Sequence, residues 1–301
     1  MLTPILISFA IMALGWLARA RGILGPGSEK PFNDYLYYFA MPALILDKMT
    51  ASGISGAGPA LLAANAVPVL AAMLLILAAW KLSAVKPKLA GELMITAAFG
   101  NTVYLGFPVV ALRLGSDAVA LAAVVTSVHY LIVFTAGIAA ACWISGRNEK
   151  GLIRRTLWTN SIIWSSLIGA ALAAAGLHLP WPLEGAVSLV GSSTAPLALF
   201  AVGAFLYGKS LGQDRSSLAA LCAAKLLVFP ALTLVCLRGF GVNGLPGQVS
   251  LLESLMPLAV TNFVIAQKLG WDEGLIVEAI LASTLLAIPT LAAFDLLVRL
   301  I

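Results

Sequence analysis

Polar residues interrupt an apolar stretch of this sequence at Gly100-Asn101-Thr102-Val103-Tyr104-Leu105-Gly106-Phe107-Pro108. An Asn side chain offers two N–H donors and a carbonyl acceptor, and an apolar helix has nothing to pair with them. Pro108 lacks a backbone N–H and its ring collides with the preceding turn, while Gly106 can take backbone angles closed to other residues. The spacing therefore predicts a helix broken at Gly106–Pro108 that restarts at the proline, since the first helical position needs no donor. Inside a membrane, the freed backbone groups are tolerated only against protein or a water-filled cavity. A second window 155 residues later, Met256-Pro257-Leu258-Ala259-Val260-Thr261-Asn262-Phe263, also holds one Pro and one Asn, in reverse order. Two such breaks would cross and aim half-helix N-termini and two Asn amides at one spot, which suits an anion, most simply a carboxylate. For either helix alone, a proline kink that serves only packing is the alternative; the matched pair points to a transporter site.

Few other residues in the apolar runs could do chemistry. Lys225 lies inside one of them, about 8 residues and roughly 12 Å from the nearest basic loop at 1.5 Å per residue. It is either a counter-charge for substrate or structure, or a side chain that snorkels to the interface. His129 reads as a hydrogen-bonded packing residue and His178 as an interfacial loop residue. Glu253 and Glu278 are the acidic candidates for ion or proton coupling, but both fall near span ends, where solvated positions are expected. Gly203-Ala204-Phe205-Leu206-Tyr207-Gly208-Lys209-Ser210 matches the phosphate-loop pattern, yet it closes an apolar helix instead of linking a strand to a helix. Ser83-Ala84-Val85-Lys86 fits the Ser-x-x-Lys pattern with none of its partner motifs. Two His and the scattered Cys142, Cys222 and Cys236 have no metal-ligand spacing and no disulfide framework.

The elements that must hold these residues are membrane helices. Of 301 residues, 61% are hydrophobic and 10% charged, and the mean hydropathy is +1.00, against about 45–50% apolar and about 25% charged in soluble domains. At about 20 apolar residues per span, the chain has room for ten helices and little else, which excludes a separate soluble catalytic domain. Spans are expected near 3–19, 33–49, 59–80, 91–114, 117–143, 156–176, 184–207, 217–238, 249–269 and 274–297, the first a retained helix and no signal peptide. Ala, Gly and Ser within them allow close helix packing. The net charge of +5 comes from short basic loops, not from a face for nucleic acid. Loops after odd-numbered spans hold 13 Lys and Arg, including Arg147, Lys150, Arg155, Lys209 and Lys268; the opposite loops hold Lys48, Arg113, Arg238 and Arg299. Positive loops stay in the cytoplasm, so both termini are expected outside it. Leu114-Gly115-Ser116-Asp117 recurs as Leu269-Gly270-Trp271-Asp272, and Met41-Pro42-Ala43-Leu44 resembles Ala195-Pro196-Leu197-Ala198 at nearly the same offset. Five spans per half make residues 1–150 and 151–301 two inverted repeats.

The Asn101-Thr102-x-x-x-Gly106-x-Pro108 run, Met256-Pro257 followed by Phe263-Val264-Ile265-Ala266, Tyr38-Phe39-Ala40-Met41-Pro42-Ala43-Leu44 and Ala195-Pro196-Leu197-Ala198-Leu199-Phe200 resemble the auxin efflux carrier family along the whole chain. That family includes plant auxin carriers and bacterial malate or malonate carriers. The resemblance implies an all-α, ten-helix membrane fold similar to that of the bile acid sodium symporters, with broken, crossing helices four and nine. It also implies that Asn101, Pro108 and Pro257 line the substrate site. The long cytoplasmic loop of many plant members is absent, and Asn262 stands where they often carry a second proline.

The expected protein is a secondary carrier of small organic anions, working by alternating access in a bacterial inner membrane. Its candidate substrate-binding residues are Asn101, Thr102, Gly106, Pro108, Pro257, Thr261 and Asn262, with Lys225 as candidate charge partner. A small-molecule carboxylate and the lipid bilayer are the expected partners, with a homodimer open as the assembly; no cofactor, metal or nucleic acid is expected. A sodium- or proton-coupled symporter of the bile acid type is the main alternative. An anion channel would need rings of like residues along a pore, and an intramembrane enzyme would need clustered acids or a His with a metal or nucleophile. The charge asymmetry generates a test. In a cysteine-free background, single cysteines at Ser28, Asn148 and Gln213 should react only with membrane-permeant thiol reagents, and one at His178 with impermeant reagent from outside; the reverse pattern overturns the orientation.

Overall fold

Proline shapes the helices of this protein more often by widening them than by breaking them. The structure, a computed structural model, describes residues 2–52, 57–146, 151, 154, 158–208 and 214–301, which are helical apart from short connections and contain no strand. The helices are α1 (Leu2–Ala20), α2 (29–52), α3 (Pro59–Lys81), α4 (Pro87–Thr96), α5 (Thr102–Leu114), α6 (Ala118–Ile144), α7 (Ser161–Ala174), α8 (Leu183–Leu206), α9 (Arg215–Gly239), α10 (Gly244–Ser254), α11 (Asn262–Leu269) and α12 (Glu273–Ala292). Among the described residues, α3, α6, α8, α9 and α12 are long and apolar enough to cross a membrane, each reaching about 30 Å or more at 1.5 Å per residue. They match five of the expected spans.

The break expected at Gly106–Pro108 is not there. Gly106 has ordinary helical angles (φ −62°, ψ −54°), and Thr102–Gly106 is a wide π turn that runs directly into the α-helix beginning at Phe107. The same arrangement recurs at Leu36–Ala40 before Met41-Pro42 and at Ala224–Val228 before Phe229-Pro230. In both of those, the residue before the proline bonds five residues back, Met41 N–H to the Leu36 carbonyl and Phe229 N–H to the Ala224 carbonyl. The wider turn absorbs the donor that proline lacks, so the helix continues. The fourth span is instead interrupted at 97–101, after α4 ends at Thr96. In the ninth span the proline breaks the helix as expected: α10 ends at Ser254 and α11 starts at Asn262. Pro257 cannot donate to a helix and pushes Met256 out of the helical region.

The chain packs as two compact units that each draw on both of its halves. One comprises Met1–Gly58, Thr102–Ser127 and Asn160–Gly208; the other comprises Pro59–Asn101, Val128–Thr159 and Lys209–Ile301. In the first unit α1 lies backbone to backbone against the second half of α8. A Cβ on Gly15 would sit 2.0 Å from the Phe200 carbonyl oxygen, and one on Gly203 would sit 1.8 Å from that of Met12. A Cβ on Gly191 of α8 would likewise meet the Leu44 backbone of α2 at 2.9 Å. These are the close approaches expected of small residues in lipid, where association rests on packing and not on the hydrophobic effect.

In the second unit, α3 packs against α9, and α4 against the end of α6. Asn65 of α3 is fully buried and donates to the Leu61 carbonyl and to Ser250 Oγ of α10, both at 2.9 Å. At the start of α12, Asp272 accepts from the Leu275 N–H at 3.1 Å and from Lys88 Nζ at 3.2 Å. The Leu275 hydrogen bond and the Lys88 ammonium hold its carboxyl below the usual carboxylate range.

Because the Gly203 contact is with main-chain atoms that cannot rotate away, Gly203→Ala forces α1 and α8 apart. The expected loss is about 1–3 kcal/mol, read as a lower unfolding midpoint of the purified protein in detergent.

Candidate functional site

Within the second unit, the interrupted segments of the fourth and ninth spans pair with each other. Asn101 N–H donates to the Pro257 carbonyl at 2.7 Å, and Ala259 N–H donates to the Phe99 carbonyl at 3.2 Å, an antiparallel bridge centred on Gly100 and Leu258. Each segment supplies backbone partners that the other lost when its helix ended, which is what the hydrocarbon region demands. Leu258 N–H is taken up by Ser283 Oγ of α12 at 3.1 Å. The Phe99 ring stands edge-on to Tyr130 and Phe134 of α6, at 4.9 and 5.0 Å between centroids, and fixes the segment from the α6 side.

Asn101 and Asn262 both flank this bridge but differ in what they bond. Asn262, fully buried, donates from Nδ2 to the Phe99 carbonyl at 3.2 Å, while its Oδ1 has no partner. Asn101 is 2% exposed, and among the described residues neither its Nδ2 nor its Oδ1 has a partner. A buried amide with both ends unpaired costs about 1–3 kcal/mol for each group. Such an amide in a native protein calls for a ligand, an ion or water. The first two N–H groups of α11 are engaged locally, Asn262 with the Ala259 carbonyl at 3.0 Å and Phe263 with that of Val260 at 3.1 Å. Pro257 is buried and Thr261 half-buried. Thr102, Gly106 and Pro108 are buried in the other unit.

Lys225 does not snorkel. It is fully buried, and its Nζ donates to the Ser254 carbonyl at 2.7 Å and lies 4.7 Å from the Phe229 ring centroid. Ser254 is the last residue of α10, where terminal carbonyls lack intrahelical donors and carry the negative end of the helix dipole. The ammonium therefore caps the end that the break creates. It also presses on the bridge: a Cβ on Gly100 would lie 2.7 Å from Lys225 Cε and 3.1 Å from Nζ. A larger residue at this position would shift the end of the lysine.

Two further groups beside Lys225 depart from expectation. Glu253, expected to be solvated, is fully buried in the last turn of α10, and neither carboxylate oxygen has a hydrogen-bond partner. His129, expected to be hydrogen-bonded, is 1% exposed with both ring nitrogens unpartnered and its ring 5.4 Å from that of Phe229. Glu278 is half-buried and His178 exposed. Span-end position misled for Glu253 because α10 ends inside its packed unit, which buries the whole last turn. Cys142 and Cys222 are buried. Among the described residues no cluster of His, Cys, Asp and Glu could hold a metal ion. The phosphate-loop match ends at Lys209 and Ser210, outside the described residues, as are Arg147, Lys150 and Arg155.

The family model described as "Membrane transport protein" matches residues 1–294. A Rhizobium meliloti protein named "Putative malonate transporter" is 27% identical over 97% of this chain and 93% of its own length. An uncharacterized transporter of Methanothermobacter thermautotrophicus is 24% identical over 95% of each chain. Auxin efflux carrier component 5 of Arabidopsis thaliana is 25% identical over 48% of this chain and 42% of its own.

The two asparagines are separable by experiment. Asn262→Ala removes one of the two donors to the Phe99 carbonyl, which keeps the Ala259 N–H, so stability should fall by about 0.5–1.5 kcal/mol, seen as a lower unfolding midpoint. Asn101→Ala deletes a side chain that bonds nothing and should not lower it.

Proposed function

The chain belongs to the auxin efflux carrier family of membrane transport proteins, and on that premise we propose that it is a secondary carrier of small organic anions, binding a carboxylate at the crossing of the two interrupted spans. The observation that carries this reading is the buried, unpartnered Asn101 amide beside the Gly100–Leu258 bridge. A carboxylate accepts from Nδ2, and the positive charge of Lys225 against Gly100 favours an anion there. Pro257 and Thr261 complete the set from the ninth span; Asn262, whose Nδ2 is engaged on the Phe99 carbonyl, holds the segment in place, and Thr102, Gly106 and Pro108 follow Asn101 along the chain. The malonate named for the Rhizobium relative is a small dicarboxylate and heads the substrate panel.

Transport proceeds by alternating access, with residues 1–150 and 151–301 as inverted repeats and both termini outside the cytoplasm. Segments 1–58 and 160–208 share one unit and 59–101 and 209–256 the other, whereas 102–127 and 257–282 fall in different units. With an interior-negative potential worth about 2.3 kcal/mol per charge per 100 mV, anion export needs no coupling ion, whereas import does.

Counterflow in proteoliposomes against mono- and dicarboxylates tests the reading. Saturable counterflow of at least one carboxylate is expected; flux that never saturates, or none, overturns it. Losing a hydrogen bond to a charged group costs about 1.5–3 kcal/mol, so Asn101→Ala should weaken substrate affinity about 10- to 150-fold. Unchanged affinity in a monodisperse variant would make the crossing purely structural.

A further inference from the structure

The carrier reading leaves Glu253 without a task, and its surroundings are unusual. It is fully buried with both carboxylate oxygens unpartnered, one residue before the Ser254 carbonyl that holds Lys225. Lys225 and Glu253 are close enough to act on each other electrostatically, yet they form no hydrogen-bonded ion pair. Lys225 uses one of its three N–H donors, on Ser254; its other neighbours are the Phe229 ring and the Gly100 backbone. The elements packed against the pair bring few other titratable groups. Lys81 ends α3, Arg238 ends α9, and Glu273 and Glu278 lie in the first turns of α12. His129 of α6, whose ring lies 5.4 Å from that of Phe229, is near enough to feel the charge of Lys225. Among the described residues, Lys225 is the charged group acting on Glu253.

A buried ammonium needs one counter-charge, and two carboxylates crowded around it repel each other. Glu253 and a substrate carboxylate at Gly100 would compete for the same cation. Neutralising either one relieves the conflict, and only Glu253 is a fixed part of the protein.

We propose that Glu253 binds the coupling proton of the carrier and that the substrate carboxylate replaces it as counter-charge of Lys225, so that one proton is taken up with each substrate bound. This inference rests on the carboxylate-carrier reading. The chemistry is a single protonation: one Glu253 carboxylate oxygen forms an O–H bond with a proton from the water on the open side and returns that proton to water on the other side. Lys225 keeps its three protons throughout. Occupancy of Lys225 by substrate and protonation of Glu253 then favour each other, a reciprocal linkage. A dicarboxylate crosses with one negative charge fewer than it carries alone. The proton offsets one of the two charges that a dicarboxylate would carry inward against the membrane potential and lets a pH gradient drive its import.

The test uses the full chain in proteoliposomes with malonate as probe and the membrane potential clamped to zero. An outside pH one unit below the inside should drive wild-type accumulation up to about tenfold, the limit set by an equal tenfold proton gradient. Glu253→Gln keeps the shape of the protonated side chain but binds no proton. It should retain malonate counterflow and lose gradient-driven accumulation. Accumulation by Glu253→Gln equal to wild type overturns the inference, as does wild-type counterflow that ignores the pH gradient. Absence of malonate counterflow in the wild type overturns the carboxylate-carrier reading, and this inference with it. Should Glu253→Gln fail to fold, purified wild type in weak buffer with a pH indicator decides: about one proton taken up per malonate bound is expected, and none overturns the proposal.

Discussion

Two backbone hydrogen bonds, Asn101 N–H to Pro257 and Ala259 N–H to Phe99, carry the arrangement on which the site depends. Ending a helix in the middle of a membrane strands amide and carbonyl groups where water is absent, and each unpaired group costs several kcal/mol. Here the two interruptions repair each other. The repair also fixes where the side chains on either side go. Asn262 donates back to Phe99 and becomes part of the scaffold, while Asn101 is carried on the same short bridge with both polar atoms unused. Pairing the backbones thus produces both the rigid frame and the open valence within it.

The end of α10 raises a second requirement. A helix that stops at Ser254 presents the negative pole of its dipole and carbonyls without donors, and Lys225 answers with an ammonium 2.7 Å from one of them. Burying that cation is tolerable only with compensation, which comes from the Ser254 carbonyl, the Phe229 ring face and the charge of Glu253 nearby. Gly100 completes the fit, because a side chain there would displace the end of the lysine from its present place. A structural need, capping a broken helix, therefore places a positive charge against Gly100, the residue before Asn101. Membership in a family of membrane transporters makes a functional use of that charge the natural reading.

Elsewhere the fold meets the same constraint with less disruption. Three prolines, Pro42, Pro108 and Pro230, follow π turns instead of breaks, since one wider turn accommodates the missing donor while the remaining backbone bonds persist. Glycines at Gly15, Gly191 and Gly203 remove the atoms that would keep helices of the first unit apart. Helical continuity keeps the backbone satisfied within these helices, and among the described residues the paired break joins the segments at 97–101 and 255–261.

Much of this was legible in the residues themselves. Apolar run lengths announce membrane helices because the hydrocarbon thickness sets a minimum span. Pro257 announces its break because a missing N–H and a displaced preceding residue are local facts of the chain. Small residues announce close packing for the same local reason. Where the fourth span breaks was not legible: Gly106 and Pro108 form the strongest local signal, yet the helix passes through them and gives way at 97–101, where Pro257 and Ala259 supply backbone partners. The fate of Lys225 and Glu253 was equally hidden. Position along a helix states how far a charge lies from a span end, but not that a neighbouring helix ends beside it at mid-depth. Pairing between segments some 155 residues apart is decided only when the chain folds, because a hydrogen bond or an ion's counter-charge depends on distance in space, and sequence separation carries no information about that distance.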